Sequence, residues 1–274
     1  MSVVILYCCS RSYEVNLVIH YSTDLIYDLP SLIIHYRIQA IMDTGIVPRI
    51  VELLPYHDKL KSQNAALEII GSFVSGDDKQ TQTVLNSNIL IPLNQILENE
   101  KSSNEVIRKT IFIISNIAAG TIEQIQLLID HKIILKLIIL FEREVGIVDI
   151  LKEAGWSLTN VTSGGTPEQI YELIDIGIIK ALCILLHIND GKTPLIAMEG
   201  LENILKIGIL LDKKQNNGTN ENRIISLIRI AKGIEEMYLY ANKNRQSMNN
   251  YLSDTDDAIQ QKAESMIKNY FYNK

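Results

Sequence analysis

The sequence predicts an all-α chain, a right-handed superhelical solenoid whose repeats are about 44 residues long and carry three helices each. Two internal registers predict it. Segments beginning at Asp43, Asn86, Asp130 and Asp175 each read as a helix end, a turn and a fresh apolar helix, and they start 43, 44 and 45 residues apart. Between them, Ser72, Asn116, Asn160 and Asn203 each fall near the close of a long amphipathic helix, at intervals of 44, 44 and 43. Composition is the third observation. Only 6 Pro and 14 Gly occur in 274 residues, against 47% apolar residues. That mixture favours long helices over turn-rich sheets.

A single unit of this kind cannot bury its apolar face alone, whereas stacked neighbours can, so the period persists along the chain. A period near 44 with one short and two longer helices lies in the armadillo/HEAT range. In chain order, residues 1–40 match no later repeat and read as a divergent segment or partial repeat; Pro30 interrupts the helical candidate Leu25 to His35. Residues 41–211 hold about four repeats. Gly45, Asn88 and Gly177 suit the left-handed position that ends one helix and starts the next. Gly76, Gly120 and Gly164 close the long third helices. Asp212 to Asn222 is polar and Gly/Asn-rich and reads as a loop. Residues 223–274 resume helices and read as a capping repeat, with Gln246 to Ser253 a further polar stretch. Over Ala258 to Tyr272, Ile259, Ala263, Met266, Ile267 and Tyr270 recur at three- and four-residue steps.

Charge and motifs narrow the chemistry. A net charge of −6 argues against nucleic acid and fits either plain solubility or a basic partner. The three cysteines are Cys8, Cys9 and Cys183; neighbouring Cys8 and Cys9 are poor disulfide partners, and no Cys/His spacing fits zinc, so a reducing compartment is expected. No apolar run approaches the 18 residues of a membrane span, and the start lacks a signal-peptide pattern. His20, His35, His57, His131 and His187 are scattered, with no nucleophile motif, P-loop or GxGxxG near them, and no enzyme is expected.

The informative stretch runs from Lys152 to Gly165 and contains the only Trp. Glu153, Trp156 and Asn160 are spaced i, i+3, i+7 and fall on one helical stripe. The same register gives Lys109, Phe112 and Asn116 one repeat earlier, Ala65, Glu68 and Ser72 before that, and Glu199 and Asn203 in the repeat that follows. Two readings are open. In one, Asn caps its helix or bonds a neighbouring backbone, and Trp156 packs between repeats. In the other, stacked third helices line the concave side of the solenoid. There Asn pairs with the main chain of an extended peptide, an exposed aromatic ring receives the stem of a Lys or Arg, and Glu153 takes the charged tip. Helices packed roughly 8–10 Å apart, against a chain advancing about 3.3–3.6 Å per residue, would touch the peptide every two or three residues.

Several runs carry a resemblance: Ile114-Ser-Asn-Ile-Ala-Ala-Gly-Thr-Ile-Glu-Gln-Ile-Gln126, Lys152-Glu-Ala-Gly-Trp-Ser-Leu-Thr-Asn160, Ser163-Gly-Gly165 with Glu168-Gln-Ile170, and Gly200-Leu-Glu-Asn-Ile-Leu-Lys206. Gly45-Ile-Val-Pro-Arg49 with Val51-Glu-Leu-Leu54 fits the same pattern. Together they resemble the later armadillo repeats of importin-α (karyopherin-α), over about 37–211 and more loosely over 223–274. The resemblance implies an adaptor that binds basic nuclear localisation signals and shuttles between cytoplasm and nucleus. Its signal-binding residues would be Trp156, Asn160, Glu153, Phe112, Asn116, Asn203, Ser72 and Glu199, in the register of the family's minor site. It implies cargo proteins bearing such signals and an export receptor with its small GTPase as partners. Importin-β is a further implied partner, although residues 1–36 resemble neither its basic binding segment nor the early repeats. That departure leaves an alternative: an armadillo interaction scaffold, or a truncated or degenerate importin-α without complete import activity. Trp156 and Asn160 match the family in full, whereas Phe112 stands for its Trp, Lys109 for its acid and Ser72 for its Asn. One strong pocket around Trp156 is therefore expected, rather than an evenly gripping groove.

Overall fold

A computed structural model describes residues 31–55, 59–143, 147–188, 190–215, 219–242 and 254–272, and all regular structure among them is helical. The readings made for residues 1–30, including Cys8, Cys9 and His20, and those for His57 and the stretch Gln246 to Ser253, lie outside the described residues. The chain divides into two compact units, Met1–Ile113 and Ile114–Lys274.

The first unit holds α1 (Ser31–Met42), α2 (Val47–Val51), α3 (Leu60–Val74), α4 (Asp78–Leu85) and α5 (Leu90–Glu98). Helix α6 (Asn104–Ala118) begins in it and runs across the boundary. Leu54, Leu67, Ile70, Ile89, Leu93 and Ile96 are its fully buried centre, each contributing about 1.5–3 kcal/mol by leaving water.

The second unit continues with α7 (Ile122–Asp130), α8 (Ile133–Arg143), α9 (Val148–Gly164), α10 (Pro167–Asp175), α11 (Ile178–Leu186) and α12 (Thr193–Gln215). It ends with α13 (Thr219–Ile230), α14 (Gly233–Asn242), α15 (Asp254–Met266) and a π-helical segment, Ile267–Phe271. Phe141, Leu158, Val161, Leu182, Leu185 and Leu201 have no exposed surface. The expected short–long–long rhythm is clearest in α7–α8–α9, of 9, 11 and 17 residues, whereas α10 and α11 are both 9 residues long before the 23-residue α12.

The turn joining the first two helices of each repeat passes through one left-handed residue. Gly45 and Gly177 take it with φ +76° and +101°, as expected, and Asn88 takes it at 58°. Lys132 and Lys232 occupy the equivalent place at 58° and 59°, and neither was expected from residue type. The period requires a sharp turn there, and the helices on both sides outweigh the roughly 1–2 kcal/mol that a side chain costs in this conformation.

Gly76 and Gly120 have another reason than helix termination. Each precedes a capping box: the Asp77 carboxylate accepts from the backbone of Gln80, and the Thr121 hydroxyl from that of Gln124. Both glutamines reach back to the cap's own N–H and are buried. A Cβ on either glycine would collide with the returning glutamine oxygen. Thr166 and Gln169 repeat the box at α10. There the Gln169 amide also donates to the Ile122 carbonyl at 3.1 Å and to Gln126 Oε1 at 2.8 Å on α7, tying one repeat to the previous one.

The loop expected over 212–222 is largely helix. Helix α12 runs on through Gln215 and α13 starts at Thr219, so 212–215 and 219–222 are helical. Lys and Gln are good helix formers when solvated. Asp212 ties the two helices together, its carboxylate accepting from the Glu221 backbone N–H at 2.7 Å. Beyond it, Ile259, Ala263, Met266, Ile267 and Tyr270 are all buried, on the face their spacing predicted. Lys262 on α15 and Lys206 on α12 both donate to Glu202 Oε2, at 2.7 and 2.8 Å. Tyr240 of α14 donates to the Leu186 carbonyl at the end of α11.

Candidate peptide-binding stripe

Helix α9 buries Ile150, Leu151, Ala154, Leu158 and Val161 on one side. Gly155 lies among them, and a Cβ there would collide with the Leu185 side chain of α11. The missing side chain therefore lets α11 approach the backbone directly beside Trp156. The indole is pushed to the opposite face, where it is 43% exposed. It is a ring presented to solvent rather than a core side chain. Glu153, one turn earlier, is half-buried.

Asn160 engages its neighbour. Its amide Nδ2 donates to the Ser115 carbonyl at 3.0 Å and approaches Ser115 Oγ at 3.3 Å. Asn203, one repeat on, donates from Nδ2 to Thr162 Oγ1 at 3.3 Å. Thr159 donates to the Ile196 carbonyl at 3.0 Å. The amides thus sit within a polar seam that links successive third helices, and Glu199 is exposed beside that seam on α12. Asn116 is half-buried near the end of α6.

The equivalent positions of the first unit differ. Ser72 turns back on its own helix, its hydroxyl donating to the Glu68 carbonyl at 3.0 Å. Phe112 is 44% exposed, with its edge over α3: a Cβ on Gly71 would lie 3.4 Å from Phe112 Cε1. Lys109, where α9 has Glu153, points its ammonium at three acceptors. These are Asn64 Oδ1 at 2.9 Å, Glu68 Oε1 at 2.8 Å and Glu105 Oε1 at 2.7 Å. Partial burial alone would lower the Lys109 pKa, but the hydrogen bonds and charges of Glu105 and Glu68 outweigh it and the net shift is upward. The Lys109 hydrogen bond and charge hold the Glu105 carboxyl below its ordinary value.

Asn64, Glu105 and Ser115 were not singled out from sequence. Glu105 and Lys109 form an i, i+4 acid–base pair, a signal that would have found the first half of the cluster. Ser115 carried none, because its carbonyl and not its side chain makes the closer contact.

Among the described residues no group of three His, Cys, Asp or Glu is placed to hold a metal ion. The buried Cys183 thiol is pushed up to about 12 by desolvation, which keeps it protonated and unreactive. No helix among the described residues is long and apolar enough to cross a membrane.

No family model matches the chain. It is similar to importin subunit alpha-8 of Arabidopsis thaliana, 34% identical over 236 residues, covering 85% of this chain and 49% of that protein. It is also similar to importin subunit alpha-1b of Oryza sativa subsp. japonica, 38% identical over 245 residues, covering 86% of this chain and 41% of that one. The chain therefore spans about half the length, or less, of these curated relatives. A solved structure of a designed armadillo repeat protein in complex with the peptide (KR)4 superimposes with a TM-score of 0.66 at 26% identity, covering 84% of this chain and 85% of that one. The fold is an armadillo-repeat solenoid.

Proposed function

From its homology to the importin-α subunits over most of its length, we propose that this chain is a non-enzymatic nuclear import adaptor that binds basic nuclear localisation signals in extended form. The observation that carries the reading is Trp156, a ring 43% exposed on an otherwise well-packed helix, flanked at helical spacing by Glu153 and Asn160. The indole face takes the methylene stem of a Lys or Arg, with cation–π attraction of roughly 0.5–2 kcal/mol. Glu153 receives the charged tip, and the Asn160 amide pairs with the peptide main chain. A (KR)4 ligand on a designed relative of the same fold supports this chemistry. Cargo proteins, the export receptor with its small GTPase, and shuttling between cytoplasm and nucleus follow as proposed associations of the adaptor.

A second reading, an armadillo scaffold without signal binding, is favoured by one observation: the Asn160 amide nitrogen already serves Ser115. Titrating labelled (KR)4 into the protein separates the two. The adaptor reading expects a change in emission of the single Trp and micromolar or tighter binding by anisotropy at moderate salt, the binding markedly weakened in Trp156→Ala. Unchanged emission with no measurable binding rejects it.

A further inference from the structure

We propose that Lys109 is a specificity-determining residue, the chain's own occupant of the place where the first unit would otherwise receive a basic side chain of the ligand. The inference rests on the adaptor reading above and says where along the chain that recognition stops.

A lysine ammonium has three N–H donors and no acceptor. Lys109 finds three oxygens within 2.7–2.9 Å, on Asn64, Glu68 and Glu105. Its donors are saturated, and its side chain is only 19% exposed. The two carboxylates it holds are themselves open to solvent, at 62% and 58%. Without Lys109 they would present two negative charges beside the exposed Phe112 ring, the same pairing of acid and aromatic that Glu153 and Trp156 present on α9. With Lys109 in place, a ligand ammonium must displace a chemically identical group tethered one turn away. Tethering gives the resident group an effective concentration in the millimolar range or above, so a micromolar ligand does not displace it. Glu68 and Glu105 are thereby already engaged by the chain's own ammonium.

The test measures (KR)4 binding by anisotropy to the wild-type chain, Lys109→Met and Lys109→Gln. Met keeps the apolar stem, and Gln keeps polarity without charge. Lys79→Met, an exposed site on α4, removes the same unit of positive charge elsewhere. The expected result is a roughly 3- to 10-fold gain in affinity in both Lys109 variants, about 0.7–1.4 kcal/mol. No such gain is expected in Lys79→Met, and Glu68→Gln is expected to reverse it in the Lys109→Met background. Equal affinity of wild type and both Lys109 variants overturns the inference while leaving the adaptor reading standing. An equal gain in Lys79→Met also overturns it, by reducing the effect to net charge. Binding by the Lys109 variants alone supports the inference and rejects the adaptor reading for the wild-type chain. Absence of binding by every protein overturns both.

Discussion

Helices α6 and α9 hold the same place in successive repeats and agree where they are buried: Ile114 and Leu158 are both fully enclosed, as are Ile117 and Val161. They differ on the outer stripe. Helix α9 carries Glu153, Trp156 and Asn160, whereas α6 carries Lys109, Phe112 and Asn116. Buried positions are held by close packing, so they tolerate little change in volume. Outer positions are held only by what they bind, so one exchange of acid for lysine leaves the scaffold intact and redirects its chemistry inward. The comparison teaches that repeat equivalence in the backbone does not carry over to equivalence of recognition.

The largest test of that difference is truncation of the two rings. Trp156→Ala is expected to weaken (KR)4 binding about 30-fold, near 2 kcal/mol, and Phe112→Ala less than about threefold; anisotropy reads both. Equal losses would erase the distinction between the helices. Next is the close approach under Trp156. Gly155→Ala forces a Cβ into Leu185 and is expected to destabilise by roughly 1–3 kcal/mol, while Ile111→Val at the matching site of α6 costs about 0.5–1.5 kcal/mol. Denaturant midpoints rank the two, and a reversed order would remove the special packing assigned to α9. A smaller effect distinguishes the amide from its lapsed counterpart. Asn160→Ala loses the bond to the Ser115 carbonyl and costs about 1 kcal/mol, whereas Ser72→Ala, which breaks only a bond within its own helix, leaves the melting midpoint nearly unchanged.

The smallest effect is a titration. Lys109 lowers the Glu105 pKa, so the stability of their contact is present above the carboxylate's ordinary value of 4.5 and is lost as pH falls through the lowered one. The raised Lys109 pKa places the other edge: its contribution is full below 10.5 and is lost as pH rises through the raised value. Carboxyl NMR is expected to show Glu105 titrating below 4.5 in the wild type and moving upward in Lys109→Met. A stationary midpoint would detach Lys109 from the cluster.

Much of this architecture was legible because it repeats. The 44-residue register located the third helices α3, α6, α9 and α12, and the spacing of Ile259 to Tyr270 gave the correct buried face of α15 and the π-helical segment after it. Residue type alone located Gly45, Asn88 and Gly177 but could not reveal Lys132 and Lys232, whose left-handed turns are imposed by the helices they join. Asp212 to Gln215 misled for a related reason: a solvated helix end and a loop share the same polar composition, and only the contact from Asp212 to Glu221 tells them apart. Of the candidate stripe, helical spacing aligned Trp156 and Phe112 but left open whether the rings were exposed or packed between repeats, and it is the structure that presents both to solvent. The Asn64 and Glu68 partners of Lys109 and the Ser115 partner of Asn160 were not legible, since they lie 41 to 45 residues away in the sequence.

The hydrogen bond from Asn160 to Ser115 has a consequence for how a ligand would be met. An amide anchored at its nitrogen no longer rotates through its alternatives, so its carbonyl oxygen is held in one orientation before any peptide arrives. Ordering a polar side chain at an interface costs about 0.5–1.5 kcal/mol in lost rotamer freedom. Here folding has already met that cost, so the Asn160 oxygen is a preorganised acceptor.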